Sequence, residues 1–138
     1  MAFEWTSDLV VRQFDLHDLE QAIRQGRVPR GVDMTQPWCE LVEPLHLVST
    51  RVGEFVIPAG FVYDQASLPG GVRWWMAPSD PRINKAACWH DYLSPWPNEE
   101  PPTFLIGGRS GHLSSVEAAE ELYDGMRASG ASWLDAAT

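Results

Sequence analysis

IPAGFVYDQASLPGGVRWWMAPSDPRINKAACWHDYLS, residues 57–94, changes character near its middle, and that change decides the fold class. Its first part reads as strand: FVYD follows a PAG turn and carries the Val and aromatic residues that suit a pleated surface. Its last part, APSDPRINKAACWHDYL, reads as helix, with Asp80 as the cap and Pro81 as the first helical residue. That helix stops near Ser94, because PWPNEEPP cannot continue it. Asp64 and Ser67 fall in the Pro/Gly-bounded loop between the two, and an adjacent pair, His90 and Asp91, falls on the helix.

Upstream, WCELVEP, LHLVST and EFVIP are short, apolar and punctuated by Pro44, Gly53 and Pro58, with RVGE as a hairpin turn. They predict a small, mainly antiparallel sheet. Further upstream, DLHDLEQAIRQG predicts a short helix capped by Asp15, with a stripe of Leu16, Leu19, Ala22 and Ile23 and a stop at Gly26. VPRGVDMTQP follows as a connector. Downstream, VRWWMA suggests one helical turn, and residues 95–111 read as a long loop suited to binding a partner or covering a site. SSVEAAEELYDGMRASG is the last clear helix. Ser114 and Glu117 have capping-box spacing, Val116, Ala119, Leu122, Tyr123 and Met126 form the apolar face, and Gly130 ends it. SWLDAAT offers a further short helical start. The expectation is an α+β fold: a small antiparallel sheet followed by two main helices, with residues 1–37 as an N-terminal helical extension to a single domain over 38–138.

Bulk composition narrows the function classes. At 138 residues, 44% hydrophobic and 21% charged, the chain suits one ordinary globular domain. A net charge of −9 argues against nucleic acid, which wants a basic footprint, and against an anionic membrane surface. No apolar run is long enough to span a bilayer and no signal peptide is read at the start, so membrane insertion is not expected and synthesis in a cytoplasm is. Cys39 and Cys88 show no CxxC spacing and read as free buried thiols, a single disulfide remaining open. The seven Trp residues (5, 38, 74, 75, 89, 96 and 133) fit core, an interface or a platform for a sugar ring.

The residues with chemistry allow two readings. Asp64 and Ser67 can lock their own loop through backbone N–H groups, or present a carboxylate and a hydroxyl at a strand's end. Ser67 lies in no GxSxG elbow. On a helix Ala87, His90 and Asp91 fall on one face, with Ile83 one turn further back. Adjacent helical residues point about 100° apart, so His90 and Asp91 hardly meet. Asp64 reaching His90 is the expected dyad, serving acid–base catalysis, a metal, or a polar strut between loop and helix. His46, His90, His112, Asp64, Asp91 and Asp124 are the candidate metal ligands, without HExxH, HxH or a Cys/His cluster. Their order mimics an HD-type phosphohydrolase, but those enzymes are all-helical and His46 lies in strand-like sequence. No cofactor motif is read.

Three ordered pieces, VIPAGFVYDQASLP, AACWHDYL and EAAEELYDGMRASGASW, resemble a family of small phage and prophage proteins known as domain of unknown function 1353. Its pattern is a PaGF-x-[ST]-D-x-AS-x-P loop, an A-x-x-HD-x-L helix and a closing helix of AD…M…G type, spanning roughly residues 38–133 here. Tyr63 replaces the usual Thr or Ser before the Asp, and Ala119 stands where the closing helix has Asp. The resemblance implies a tailed-phage or prophage source and names no reaction. It leads to the expectation of a virion-associated structural component (tail, baseplate or capsid attachment) that oligomerises or assembles with other virion proteins. Such a protein is made in the host cytoplasm and then carried in the virion. The alternative is a hydrolase of the host envelope or of a phage precursor, with Asp64 and His90 as the dyad and Asp91 or Ser67 orienting it or holding a metal. A regulatory or scaffolding protein absent from particles is the third expectation.

Overall fold

Alternating burial along one strand shows how the sheets take their place. In LHLVS, Leu45, Leu47 and Ser49 are buried while His46 between them is exposed, the period-2 pattern of a strand with one face on a core. The computed structural model describes residues 3–64, 81–95, 100–106 and 108–130. In chain order the elements are β1 (Phe3–Trp5), β2 (Val11–Gln13), α1 (Leu16–Arg24), β3 (Trp38–Leu41), β4 (Leu45–Ser49) and β5 (Gly53–Ile57). They continue with β6 (Val62–Asp64), α2 (Pro81–Leu93), β7 (Phe104–Ile106), β8 (Arg109–Gly111) and α3 (Ser115–Ala128).

The fold is mixed α+β, as expected, but its arrangement differs from a sheet followed by two helices with a helical extension. Among the described residues two three-stranded antiparallel sheets form, ordered β1-β4-β5 and β2-β3-β6, beside a separate β7-β8 hairpin and three helices. Strands β1 and β2 precede α1 and supply an edge to each sheet, in register Phe3↔Ser49 and Gln13↔Cys39. Segments of three residues leave little trace in sequence, since their stability comes from partners far along the chain. The same reason explains the β7-β8 hairpin, which occupies part of the expected long loop. The β4-β5 turn is where RVGE placed it, with Gly53 at φ 75°.

Helix α1 has the expected cap: Asp15 accepts from the N–H of Asp18, whose carboxylate returns the bond to the N–H of Asp15. It buries Leu19 and Ala22 against Trp38 and Val62, while Leu16 is exposed. Helix α2 starts at Pro81 as read, with Asp80 outside the described residues. It is enclosed on most sides, with Ile83, Ala86, Ala87, Cys88 and Trp89 all fully buried. Trp89 joins Cys39, Leu41, Leu45, Leu47, Ile57 and Tyr63 in the main core, so α2 is the element that both sheets pack around.

Helix α3 has the expected Ser114–Glu117 capping box and buries Leu122 and Met126 as expected, but the rest of its inward face is rotated from the expected one. Ala118, Glu121, Leu122, Gly125 and Met126 are buried, whereas Val116 and Tyr123 of the expected apolar face are exposed. Two contacts impose that rotation. Arg51 pairs with Glu120, Glu121 and Asp124, and Gly125 lets Trp5 and Ala86 approach its backbone closely. The indole N–H of Trp5 donates to the Gly125 carbonyl at 2.9 Å. Among the described residues no helix is long and apolar enough to cross a membrane. The turn expected of VRWWMA and the start expected of SWLDAAT lie outside the described residues.

Candidate functional site

Strand β6 and helix α2 come together because Tyr63 and Cys39 are register partners and Cys88 packs in the same core. The Tyr63 hydroxyl donates to Asn84 Oδ1 at 3.0 Å, a bond from strand to helix. Toward the C-terminal end of α2 the two elements part, leaving an open cleft of about 480 Å3. Phe61, Val62 and Tyr63 line one wall; His90, Asp91 and Tyr92 line the other, with Glu100 and Pro102 beyond them. The walls are aromatic: Phe61 stacks on Tyr63 with centroids 5.9 Å apart and meets Tyr92 edge to face at 5.2 Å.

The chemistry of the cleft lies in the α2 wall. The Asp91 carboxyl accepts the backbone N–H of Asp64, bridging helix and strand. Burial, reinforced by the nearby Asp64 carboxylate, raises the Asp91 pKa well above its ordinary value, so this side chain holds its proton more tightly than a free carboxyl. His90 behaves oppositely, since burial lowers its pKa and favours the neutral imidazole. Its Nδ1 is buried without a hydrogen-bond partner among the described residues. An orphaned polar atom of this kind needs an explanation, because natural structures leave few of them. Cys39 and Cys88 sit beside the Tyr63 hydroxyl and are free thiols. Burial pushes Cys39 up to about 12 and Cys88 well above the ordinary thiol value, which makes both poor nucleophiles.

The expected residues are therefore only partly brought together. Asp64 and Asp91 meet, through main chain to side chain, whereas the expected Asp64–His90 dyad is not a hydrogen bond at Nδ1. Ser67 lies outside the described residues, as do Trp74, Trp75 and Trp96. The other candidate metal ligands are elsewhere. His46 is exposed on β4, the Nδ1 of His112 meets the Pro102 carbonyl at 3.0 Å, and Asp124 pairs with Arg51 at 3.0 Å. Among the described residues no three His, Cys, Asp or Glu side chains converge as a metal would require.

Sequence reading also missed a second polar cluster, built on α3. Glu121 is fully buried, yet its carboxylate accepts from Ser49 Oγ at 2.9 Å, Arg51 Nη1 at 2.7 Å and the Trp89 indole at 3.2 Å. Arg51 reaches on to Asp124 at 3.0 Å and to Glu120. An acid inside an otherwise buried stripe was the available signal, but its cation lies 70 residues away in sequence.

The model of a family described as "Protein of unknown function (DUF1353)" matches residues 39–138. No curated protein and no solved structure matches the chain.

Proposed function

The chain belongs to this family of proteins of unknown function, and we propose that it is a phage-encoded accessory protein that joins or helps to build the virion, holding a partner in the β6–α2 cleft. The observation that carries the binding role is the cleft itself: open, walled by aromatic rings and lined by His90, whose buried Nδ1 has no hydrogen-bond partner among the described residues. Such a combination of apolar surface and convergent polar groups is the usual form of a recognition site. The phage source rests on three motifs in order along the chain, one over residues 56–69, one in α2 and one beginning in α3. Exposed apolar side chains on the hairpin and on α3, Leu105 at 74% and Val116 at 66%, suit a protein that assembles with others. Tail, baseplate and capsid attachment are the candidate locations, reached after synthesis in the host cytoplasm. Mass spectrometry of gradient-purified virions tests this reading: the chain is expected among the particle proteins, and its absence there removes the proposal.

A second reading is favoured by one specific observation, the opposite shifts of His90 and Asp91 in one cleft. A neutral imidazole is a ready general base and a proton-holding carboxyl a ready general acid, the division of labour that acid–base hydrolysis uses. The substrate would be the host envelope or a phage precursor. His90→Ala and Asp64→Asn discriminate: if both fold and phage function is unchanged, the cleft is not catalytic. Severe destabilisation of both variants would mark the pair as a structural strut instead.

A further inference from the structure

Helix α2 is tied on two sides. Toward the cleft, the Tyr63 hydroxyl donates to Asn84 at 3.0 Å and the Asp91 carboxyl accepts the Asp64 N–H. Trp89 lies about 140–160° around the helix from Asn84 and Asp91. Its fully buried indole N–H donates to Glu121 Oε1 at 3.2 Å. Other buried residues of α2, among them Ala86, Ala87 and Cys88, are small. Small side chains let a helix come close to its neighbours but do little to fix its rotation. Directional bonds do that instead.

A turn of α2 by about 20° would sweep a side-chain tip at a radius of about 5–6 Å through about 2 Å. That is enough to break a hydrogen bond, and it would carry His90, Asp91 and Tyr92 with it. Trp89 also has a direct route to the cleft wall. Its ring lies 14° from parallel to Tyr92 with centroids 6.2 Å apart, and Tyr92 meets Phe61 edge to face at 5.2 Å. Phe55 touches both Trp89 and Tyr92, at 5.3 and 5.6 Å. Rings packed this closely transmit a displacement rather than absorb it.

Glu121 is itself held in place. Its Oε2 accepts from Ser49 Oγ at 2.9 Å and from Arg51 Nη1 at 2.7 Å, while Oε1 takes the indole. We infer that Glu121 of α3 is a positioning residue for the β6–α2 cleft: through the Trp89 indole it sets the turn of α2 about its axis, and with it the placing of His90, Asp91 and Tyr92. It does not line the cleft and acts only through its neighbour. That the cleft receives a partner or a substrate is the reading above. That its wall is set from α3 rests on these bonds and ring contacts alone.

The test reads the cleft separately from stability, in the full chain. Acylation of His90 by diethyl pyrocarbonate is mapped by mass spectrometry, with the exposed His46 as internal reference, beside the urea midpoint. Glu121→Leu cannot accept the indole N–H and Trp89→Phe cannot donate one. Both are expected to change the His90 rate several-fold. Glu121→Gln keeps an oxygen for the indole but gives up the charge opposite Arg51. It is expected to lower the urea midpoint while leaving the His90 rate at the parent value. A parent rate in Trp89→Phe overturns the inference, whether or not Glu121→Leu folds. So does a Glu121→Gln rate that departs as far as that of Trp89→Phe, since the role of Glu121 is then structural only. If the chain is found in virions and the His90 rate does not respond, this inference falls and the assembly reading stands. A response in a chain missing from virions keeps the positioning role and removes that reading.

Discussion

Two polar clusters lie at opposite ends of a single residue step, and they are solved in opposite ways. At Trp89 the indole N–H feeds Glu121, a fully buried carboxylate that also accepts from a serine hydroxyl and from Arg51, which it shares with Glu120 and Asp124. At the next residue, His90, a buried ring nitrogen has no partner among the described residues, and the Asp91 carboxyl has another acid for a neighbour. The first cluster gives its buried carboxylate three hydrogen-bond donors, which is what a structural tie between β4, α2 and α3 requires. The second leaves a buried ring nitrogen without a partner among the described residues, beside a cleft that His90 and Asp91 line. Because consecutive residues of one helix serve both, the lock also fixes the rotation of α2, and so the direction in which His90 faces.

Removing the lock's carboxylate should break this contrast most severely. Glu121→Ala strands the Ser49 hydroxyl and the buried Trp89 indole N–H while leaving Arg51 its bonds to Glu120 and Asp124, and a loss of about 3 kcal/mol is expected in urea unfolding. Gly125→Ala probes packing on the same helix. A Cβ there would stand 3.0 Å from Trp5 Cζ2 and 3.3 Å from Ala86 Cβ. The gain of up to about 1 kcal/mol from helix propensity is set against about 1–3 kcal/mol for overpacking. With Trp5 pinned by its bond to the Gly125 carbonyl, a net loss of about 1 kcal/mol and a changed Trp fluorescence are expected.

The cleft should behave differently. His90→Ala strands no partner at Nδ1 among the described residues, and its unfolding free energy is expected within about 1 kcal/mol of the parent. A drop as large as that of Glu121→Ala would erase the distinction between lock and cleft. Asp91→Asn sharpens it through pH. The native pKa of Asp91 lies above 3.8, so the native chain keeps this proton after the unfolded chain has lost it. Its contribution to stability is therefore greatest at low pH and declines as pH climbs from 3.8 toward the raised native value. Urea midpoints across that window should show Asp91→Asn gaining on the parent as pH rises. The smallest effect is at His90, whose imidazole should titrate below 6.5 by NMR, the native state losing stability as pH falls through that range.

What could be read from sequence was whatever its own neighbourhood determines. The capping boxes at Asp15 and Ser114, the proline start of α2 and the Gly53 turn all depend on residues within a few positions. The mixed α+β class followed from them. Strands β1 and β2, the β7-β8 hairpin and the inward face of α3 did not, because each is settled by contacts distant in sequence. Glu121 faces inward for the sake of Arg51, and local periodicity counted it as polar surface. The site was legible to the same extent: the HD pair and Asp64 were picked out, but their pairing was not. A main-chain N–H received by Asp91 has no letter in the sequence. The cleft lining of Phe61, Tyr92 and Glu100 became visible only once β6 and α2 were side by side.

The bond from Trp5 to Gly125 spans 120 positions, and it dictates an order of events. Strand β1 leaves the ribosome before its sheet partner β4 and its anchor on α3. At about 5–20 residues per second, its segment waits on the order of ten seconds with Phe3 and Trp5 uncovered. The docking of β1 is thus completed only from the far end of the described chain, and Trp5, made long before Gly125, is among the last to find its place.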